Sequence, residues 1–262
     1  MPQNVARVRI TTPETLISAS EALRNAWFRG EGSTKWKLQS SLERDAERFA
    51  VPVDDIWHRE RRMLEAFKKR AHLFTRNNEY PESYFEWHAL IRHYGGPSRL
   101  LDITSSCLVA AYFALVDSRP KEAAVIWAFQ EGTIGASEDV DWNSHFQQNG
   151  PTKVVVGIPE RFNVRLNAQN GAFFVPGCVK TSLESQIGIT YETDFQLPPS
   201  VYKSAKKVAE RIEHRIWKFV IPHENHAEIF RFLSRCNIRS YTIYPGTEGL
   251  AASLRELMRA HE

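Results

Sequence analysis

LIRHYGGPSRLLDITSSCLVAAYFALV, residues 90–116, decides the fold. Its first part, His93-Tyr94-Gly95-Gly96-Pro97-Ser98-Arg99, is a polar loop of residues with special backbone demands. It runs into Leu100-Leu101-Asp102-Ile103-Thr104, predicted as a short buried strand. Ser105 or Ser106 then supplies an oxygen to cap a helix, and Cys107 to Val116 is apolar without a break. That run is far shorter than the roughly 20 residues needed to span a membrane, and an element apolar on every side is buried on every side. A central core helix is therefore predicted over 106–117. Polar groups gather where strand meets helix, and the backbone N–H groups of a helix N-terminus favour anions. Chemistry is expected there.

On the N-terminal side, Arg7-Val8-Arg9-Ile10 is predicted as an edge strand. Thr12-Pro13-Glu14 opens a helix to about Asn25, with Leu16, Ala19 and Leu23 on one face. Ala26-Trp27-Phe28-Arg29-Gly30 is a short apolar strand ending in an arginine and a glycine. A positive charge at the end of a buried strand needs a partner or a ligand, so Arg29 either pairs with a core carboxylate such as Asp102 or holds a ligand. Asp54 or Asp55 starts a long amphipathic helix to about His72. Its charges (Arg59, Glu60, Arg61, Arg62, Lys68, Lys69, Arg70) make a solvated face, a nucleic-acid groove being the alternative. Pro81 starts another helix, Glu82 to Arg92.

On the C-terminal side, 123–129 is predicted as a buried strand. The polar stretch 131–153 carries Glu138, Asp139 and Asp141, placed in a solvated loop rather than a cation site. Val154-Val155-Val156 and Val164-Arg165-Leu166 are short apolar pieces. Gln169-Asn170-Gly171 is a turn feeding a strand over 172–175. Pro176 to Pro199 has little periodicity and is predicted as an excursion or flap. A basic helix over 201–211, a strand over 216–221, a helix over 223–236, a strand over 240–243 and a closing helix over 247–261 complete the chain.

The 262 residues, 42% hydrophobic and 25% charged, suit one large domain or two small ones. No repeat, low-complexity run or linker divides them, so a single α+β domain over 1–262 is expected. A net charge of +3 permits a nucleic-acid or phosphate partner without requiring one. Cys107, Cys178 and Cys236 form no disulfide framework or zinc spacing, which suits a cytoplasmic location, and the first residues lack an apolar signal region. Neither a dinucleotide-binding G-x-G-x-x-G, nor a P-loop, nor a G-x-S-x-G elbow is present. His223-Glu224-Asn225-His226 spaces its histidines three apart instead of the zincin four, so no metal is expected.

Trp27-Phe28-Arg29-Gly30, Glu60 and Phe67, and above all His93 to Thr104 resemble the FRG domain, a family named for its Phe-Arg-Gly motif. Its second signature is similar to Q-H-Y-G-x-P-T-R-L-L-D-W-T followed by A-x-Y-F-A. Here Arg92 replaces the Gln, Ser98 the Thr and Ile103 the Trp. Arg165 to Phe173 is similar to the family's R-x-x-x-Q-x-G-x-F element, and Ile243-Tyr244-Pro245-Gly246 to its end. The resemblance implies mostly uncharacterised bacterial and phage proteins, so it says little about activity.

A second resemblance, to arginine-type ADP-ribosyltransferases, offers a mechanism and a core sheet of that kind with flanking helices. Arg29-Gly30 is similar to their early R-G pair. Asp102-Ile103-Thr104-Ser105 with Ala111-Tyr112-Phe113-Ala114 resembles their strand and helix. Gln169-Asn170-Gly171 falls where their Q/E-x-E stands. The resemblance implies NAD as the substrate cofactor and a protein or nucleic-acid acceptor. Arg29, with Gly30, would hold the pyrophosphate. Thr104 or Ser105 would bond the nicotinamide ribose, and Tyr94 or Tyr112 would stack on the nicotinamide. The expected catalytic Glu is replaced by Gly171. Gln169 offers a hydrogen bond without charge, and Asp102 or Glu184 is the substitute carboxylate for the oxocarbenium-like centre. An ADP-ribosyltransferase or NAD-cleaving enzyme of a toxin or phage-defence setting is one reading. A non-catalytic nucleotide- or partner-binding module is the alternative, and a nuclease a further one.

Overall fold

In the computed structural model, which describes residues 3–23, 25–74, 80–160, 164–194 and 215–259, the strands are β1 (Gln3–Arg9), β2 (Ala26–Glu31), β3 (Leu101–Thr104), β4 (Ala124–Gln130), β5 (Val154–Gly157), β6 (Gly171–Pro176), β7 (Ile189–Asp194) and β8 (Ile216–Ile221). They form one mixed sheet in the order β5-β6-β3-β2-β4-β8-β1-β7. All pairs are antiparallel except β8-β1 and β1-β7. The helices are α1 (Pro13–Ala22), α2 (Ser41–Arg48), α3 (Ile56–Ala71), α4 (Tyr84–His93), α5 (Cys107–Val116), α6 (Trp142–His145), α7 (Val164–Ala168), α8 (Leu183–Ile187), α9 (His226–Arg235), α10 (Ser240–Ile243) and α11 (Thr247–Arg259). An α+β fold with helices flanking one sheet results. The basic helix expected over 201–211 lies outside the described residues.

Alternation along the strands divides the core. Phe28, Ile126, Ala128 and Phe219 face α1, α5 and α9 in one buried cluster. Leu101, Ile103, Trp127, Phe129 and Phe174 face the opposite side, covered by Leu38 and by Leu183 and Ile187 of α8. Phe173 and Val175 of β6 point back to the first side, where α4, α6 and α7 bring Phe85, Phe146 and Leu166. Two helical packs therefore share one face, one over β2-β4-β8-β1 and one over β6-β5. β3 lies between them.

The sheet is nearly divided at the same place. β3 pairs with β6 over all four of its residues and β2 pairs with β4 over all six, whereas β2 and β3 meet only at Phe28↔Thr104. Past that position β2 lies directly on α5. A Cβ built on Gly30 would stand 1.9 Å from the Ala110 carbonyl oxygen and 2.6 Å from the Ala114 nitrogen, a contact only glycine permits. The opening is spanned by Arg29, whose Nη1 donates to the Asp102 carbonyl oxygen at 2.7 Å.

Three expectations are corrected. β1 is not an edge strand, because β7 lies outside it, parallel to it. The segment read as a flap supplies that strand together with α8, which Ser182 caps and Gly188, at φ +86, ends. Residues 240–243 form helix α10 rather than a strand. Both sides of β8 are already occupied, by β4 and β1, and Thr242 Oγ1 accepts from the Arg239 N–H at 3.0 Å to cap a turn. β-branched Thr242 and Ile243 favour strand, but tertiary context overrides that preference.

Gly30→Ala should force β2 and α5 apart, because the obstructing atoms are backbone and cannot rotate away. We expect a loss on the order of 1–3 kcal/mol, the scale of core overpacking, in urea unfolding. An unchanged midpoint would show that the strand and helix are not held in direct contact.

Candidate functional site

The gap between the two helical packs is a cleft of about 800 Å³, lined by Arg92, His93, Tyr94, Asp102, Arg165, Gln169, Tyr244 and Glu248 among others. It continues into a crevice of about 160 Å³ at the β2–β3 opening, where Phe28, Arg29, Gly30, Thr104 and Phe113 join Arg92, Asp102, Arg165, Gln169 and Tyr244. Six segments supply these groups: the end of α4 with its loop, β3, the α7 region, the residues from Tyr244 into α11 and, at the crevice, β2 and α5. Local sequence explains the first wall. The Gly95 N–H donates to the Arg92 carbonyl and the Gly96 N–H to that of Ile91 at 2.9 Å, and Gly95 has φ +80. This is the left-handed ending that glycine provides for a helix, and it leaves Arg92 and His93 in the last turn of α4, facing the cleft.

Asp102 is the carboxylate at the floor. Its Oδ2 accepts from Arg92 Nε at 2.9 Å and Nη2 at 2.5 Å, and its side chain is 43% exposed. Burial disfavours its ionised form, but Arg92, with help from Arg29, outweighs this and holds the carboxyl below its usual range. Arg29 therefore does not pair with the Asp102 carboxylate, contrary to one expectation. Arg92 stands nearer, and Arg29 is committed to the Asp102 backbone oxygen and, through Nε, to Glu31 Oε1 at 3.0 Å. Burial raises the Glu31 pKa, with Arg29 opposing.

Asp102 and Thr104 share a face, as strand alternation requires, and both border the crevice. Thr104 is engaged on both sides: its Oγ1 donates to the Gln169 carbonyl at 2.7 Å and accepts from the Ser106 N–H at 3.0 Å. Ser106, not Ser105, caps α5. Gln169 donates from Nε2 to the Ile243 carbonyl at 3.2 Å, which leaves its Oε1 as an acceptor. Tyr94 is 69% exposed at the cleft rim.

Three candidates lie elsewhere. Tyr112 is in the core, against Phe230, with its hydroxyl on Ser240 Oγ at 2.6 Å and Glu256 Oε1 at 3.1 Å. It borders neither cleft nor crevice, because α5 turns that side chain toward α9 and α11. Glu184 is on α8, under the opposite face of the sheet, and accepts from the Leu38 N–H at 2.8 Å. Ser105 is exposed and borders neither space.

Arg92, Arg165, His93, Tyr244 and Glu248 were not among the candidates. Arg165 and Tyr244 stand inside the quoted motif segments, and that was the signal available for them. The Arg165 guanidinium lies over the Tyr244 ring at 4.5 Å and makes no ion pair among the described residues. Burial and then Arg165 lower the His93 pKa, with Glu248 opposing.

Behind the cleft, Arg99 holds the motif loop in place. It is 1% exposed. It donates from Nε to Glu60 Oε1 at 2.9 Å and from Nη2 to Glu60 Oε2, and its Nη1 reaches the Gly177 carbonyl at 2.9 Å. Phe146 packs against the guanidinium at 4.6 Å and against the His88 ring at 4.7 Å. Burial penalises the Glu60 charge, but the Arg99 guanidinium overcomes this and keeps the carboxyl below its usual range. His88 Nδ1, 3.8 Å from Glu60, has no hydrogen-bond partner.

Fold and cleft together define an α+β protein with a cationic pocket over a divided sheet. The model of the FRG domain family matches residues 24–123. The match takes in β2, the motif loop, β3 and α5, and with them Arg29, Arg92, Tyr94 and Asp102. The opposite wall, with Arg165, Gln169 and Tyr244, lies beyond it. Comparison with curated proteins and with solved structures gives no match. Among the described residues no helix is long and apolar enough to cross a membrane, and no group of three or more His, Cys, Asp or Glu is placed to hold a metal ion.

The buried network predicts acid sensitivity. Burial lowers the His88 pKa from 6.5 to about 4, despite Glu60 nearby. The folded value lies below the unfolded one, so stability is full above pH 6.5 and declines as pH falls toward about 4, where the unfolded chain takes the proton first. Summed over that window the loss is on the order of 3 kcal/mol. His88→Phe keeps a ring against Phe146 and sacrifices no hydrogen bond of the imidazole Nδ1. We expect it to flatten the slope between about pH 6.5 and about pH 4.5 in urea unfolding. An unchanged slope would assign the acid sensitivity to other groups.

Proposed function

We propose that the cleft over β3 binds NAD as substrate and that the chain is an ADP-ribosyltransferase-like or NAD-cleaving enzyme. The observation that carries this is the meeting of Arg92, Asp102, Arg165 and Gln169, from three separate segments, in one cleft. Its volume is within the ~300–1,000 Å³ of small-molecule sites. A pyrophosphate asks for guanidinium groups with nitrogens to spare. Arg165 meets that need: its guanidinium lies over the Tyr244 ring and makes no ion pair among the described residues. Arg92 adds Nη1, which takes no part in its bonds to Asp102. In this reading the phosphate clamp passes from Arg29 to Arg165, because Arg29 is occupied in bridging the sheet.

The remaining groups fit a ribose and a ring. Gln169 Oε1 accepts from a ribose hydroxyl, and Tyr94 offers an exposed aromatic face at the rim. Asp102 supplies the negative charge that stabilises positive charge developing at the ribose carbon as the glycosidic bond breaks. A binding module without catalysis is the second reading. It is favoured by the Arg92–Asp102 ion pair, since a carboxylate already neutralised by a guanidinium lends less charge.

Titration with NAD and assay of nicotinamide release, on the same preparations, test both. Arg165→Ala should weaken NAD binding at least ~10-fold, about 1.4 kcal/mol, without lowering the melting temperature. Arg29→Lys should instead lower unfolding stability, because an ammonium lacks the fork that joins Glu31 to the Asp102 carbonyl. Asp102→Asn should cut nicotinamide release at least ~100-fold, the scale of losing one electrostatic stabiliser. Saturable binding with no release by the wild type would select the binding module. No binding at all would remove NAD from the site.

A further inference from the structure

A second concave surface lies on the other side of the motif loop. α3 and α4 pack through Leu64, Ala71, Trp87 and Ile91. Above that contact they leave an open groove of about 710 Å³, lined by Met63, Phe67, Phe74, Leu90, Tyr94 and Pro97 with a few neighbours. Its lining is apolar except for Arg70, and it includes no carboxylate. Phe74 is 83% exposed and Tyr94 69%. Burying one such side chain is worth roughly 1.5–3 kcal/mol, and contiguous apolar surface of this kind marks interaction sites.

The form of the groove fits an amphipathic helix. Met63, Phe67, Arg70 and Phe74 recur at spacings of four, three and four, a single stripe along α3 and the turn that follows it. At 1.5 Å per residue the stripe runs roughly 16 Å, about three helical turns. Charge fixes the sign of the partner. At 100° per residue, Arg59 falls beside the stripe on its outer edge, and it is exposed. With Arg70 it makes a cationic lip that opposes a basic partner and attracts an acidic one.

We infer that the α3–α4 groove docks an amphipathic helical segment of a protein partner, apolar on the face it inserts and acidic on its flanks. Tyr94 borders both this groove and the cleft, so a docked partner touches the rim of the substrate site. The partner is thereby placed as the ADP-ribose acceptor. That last step rests on the proposed NAD chemistry, whereas docking does not.

The test uses the full chain without NAD. The probe is a fluorescein-labelled synthetic helix of about 18 residues, five turns, with Leu at i, i+3, i+4 and i+7 and Glu elsewhere. Fluorescence anisotropy should show saturable binding that weakens with salt. Replacing the Glu by Lys in the probe should reduce affinity at least ~10-fold. Met63→Glu and Phe74→Glu, and separately the pair Arg59→Glu with Arg70→Glu, should do the same while melting like the wild type. Because the variants alter separate side chains on the surface of one helix, an unfolded one leaves the others to decide.

Absence of probe binding, equal binding of the acidic and basic probes, or indifference to every one of these substitutions would overturn the proposal. So would concentration-dependent dimerisation abolished by Met63→Glu in light scattering, which would give the groove to a second copy. Binding to vesicles of anionic phospholipid in preference to the probe would give it to a lipid surface and overturn the proposal equally. NAD titration of the same variants reads the cleft independently. Probe binding without NAD binding would retain the docking site and remove only the acceptor role.

Discussion

The structure depends on β2 and β3 meeting at a single position. A sheet paired throughout would place Arg29, Gly30 and Glu31 against Ile103, Asp102 and Leu101 and leave no crevice. Instead Gly30 lets β2 follow the backbone of α5, β3 follows β6, and Arg29 spans the difference. A guanidinium suits that position. Its fixed fork reaches the Glu31 carboxylate on its own strand and the Asp102 carbonyl on the neighbouring one. The Asp102 carbonyl, lacking a ladder partner on that side, is satisfied by a side chain, and the carboxylate of the same residue stays directed at the cleft. Backbone separation, site volume and carboxylate placement are one feature.

Seven residues separate Arg92 from Arg99, and the two do different work. Arg99 is enclosed, with Glu60, two backbone carbonyls and the Phe146 ring around it. Ion pairs so deeply buried add little net stability over apolar packing, but removing one partner costs about 3–5 kcal/mol because the other is stranded. The Arg99–Glu60 pair thus acts as a register pin between α3, the motif loop and the turn after β6. Arg92 borders the cleft and pairs there with the Asp102 carboxylate, whose side chain is 43% exposed. The same motif therefore supplies one enclosed cation and one at the cleft.

The sequence made the central features legible because their signals are local. The apolar run of α5 and the short strand before it are visible as hydrophobic pattern, and the convergence of Arg29, Asp102, Thr104, Gln169 and Tyr94 follows from motifs on neighbouring strands and loops. What depended on partners distant in the chain was not legible. Whether Arg29 or Arg92 takes the Asp102 carboxylate is a matter of a few ångströms between elements joined only in three dimensions. Tyr112 stands in a motif like its neighbours, and only the rotation of α5 directs it away from the site. Residues 240–243 carry strand-favouring side chains, yet β8, the strand that precedes them, is already paired on both sides. β7 was obscured because its pairing partner is β1, almost 190 residues earlier in the register Gln3↔Ile189.

The Tyr112 placement bears on the site after all, through the wall that the family match does not include. Its hydroxyl meets Ser240 at the start of α10 and Glu256 on α11, and the Ser240 N–H and hydroxyl both donate to Glu256 Oε1, at 2.8 and 2.6 Å. These bonds tie α10 and α11 to the core helix, with Tyr244 to Gly246 in the connection between them and Glu248 in the first turn of α11. Arg165 rests on Tyr244, and Gln169 donates to the Ile243 carbonyl. The far wall of the cleft is therefore held by the chain's C-terminal helices through α5, while the near wall is held by Arg99 through α3. A ligand bridging Arg92 and Arg165 would join two independently anchored packs across the opening in the sheet, so part of its binding free energy would appear as resistance to their separation.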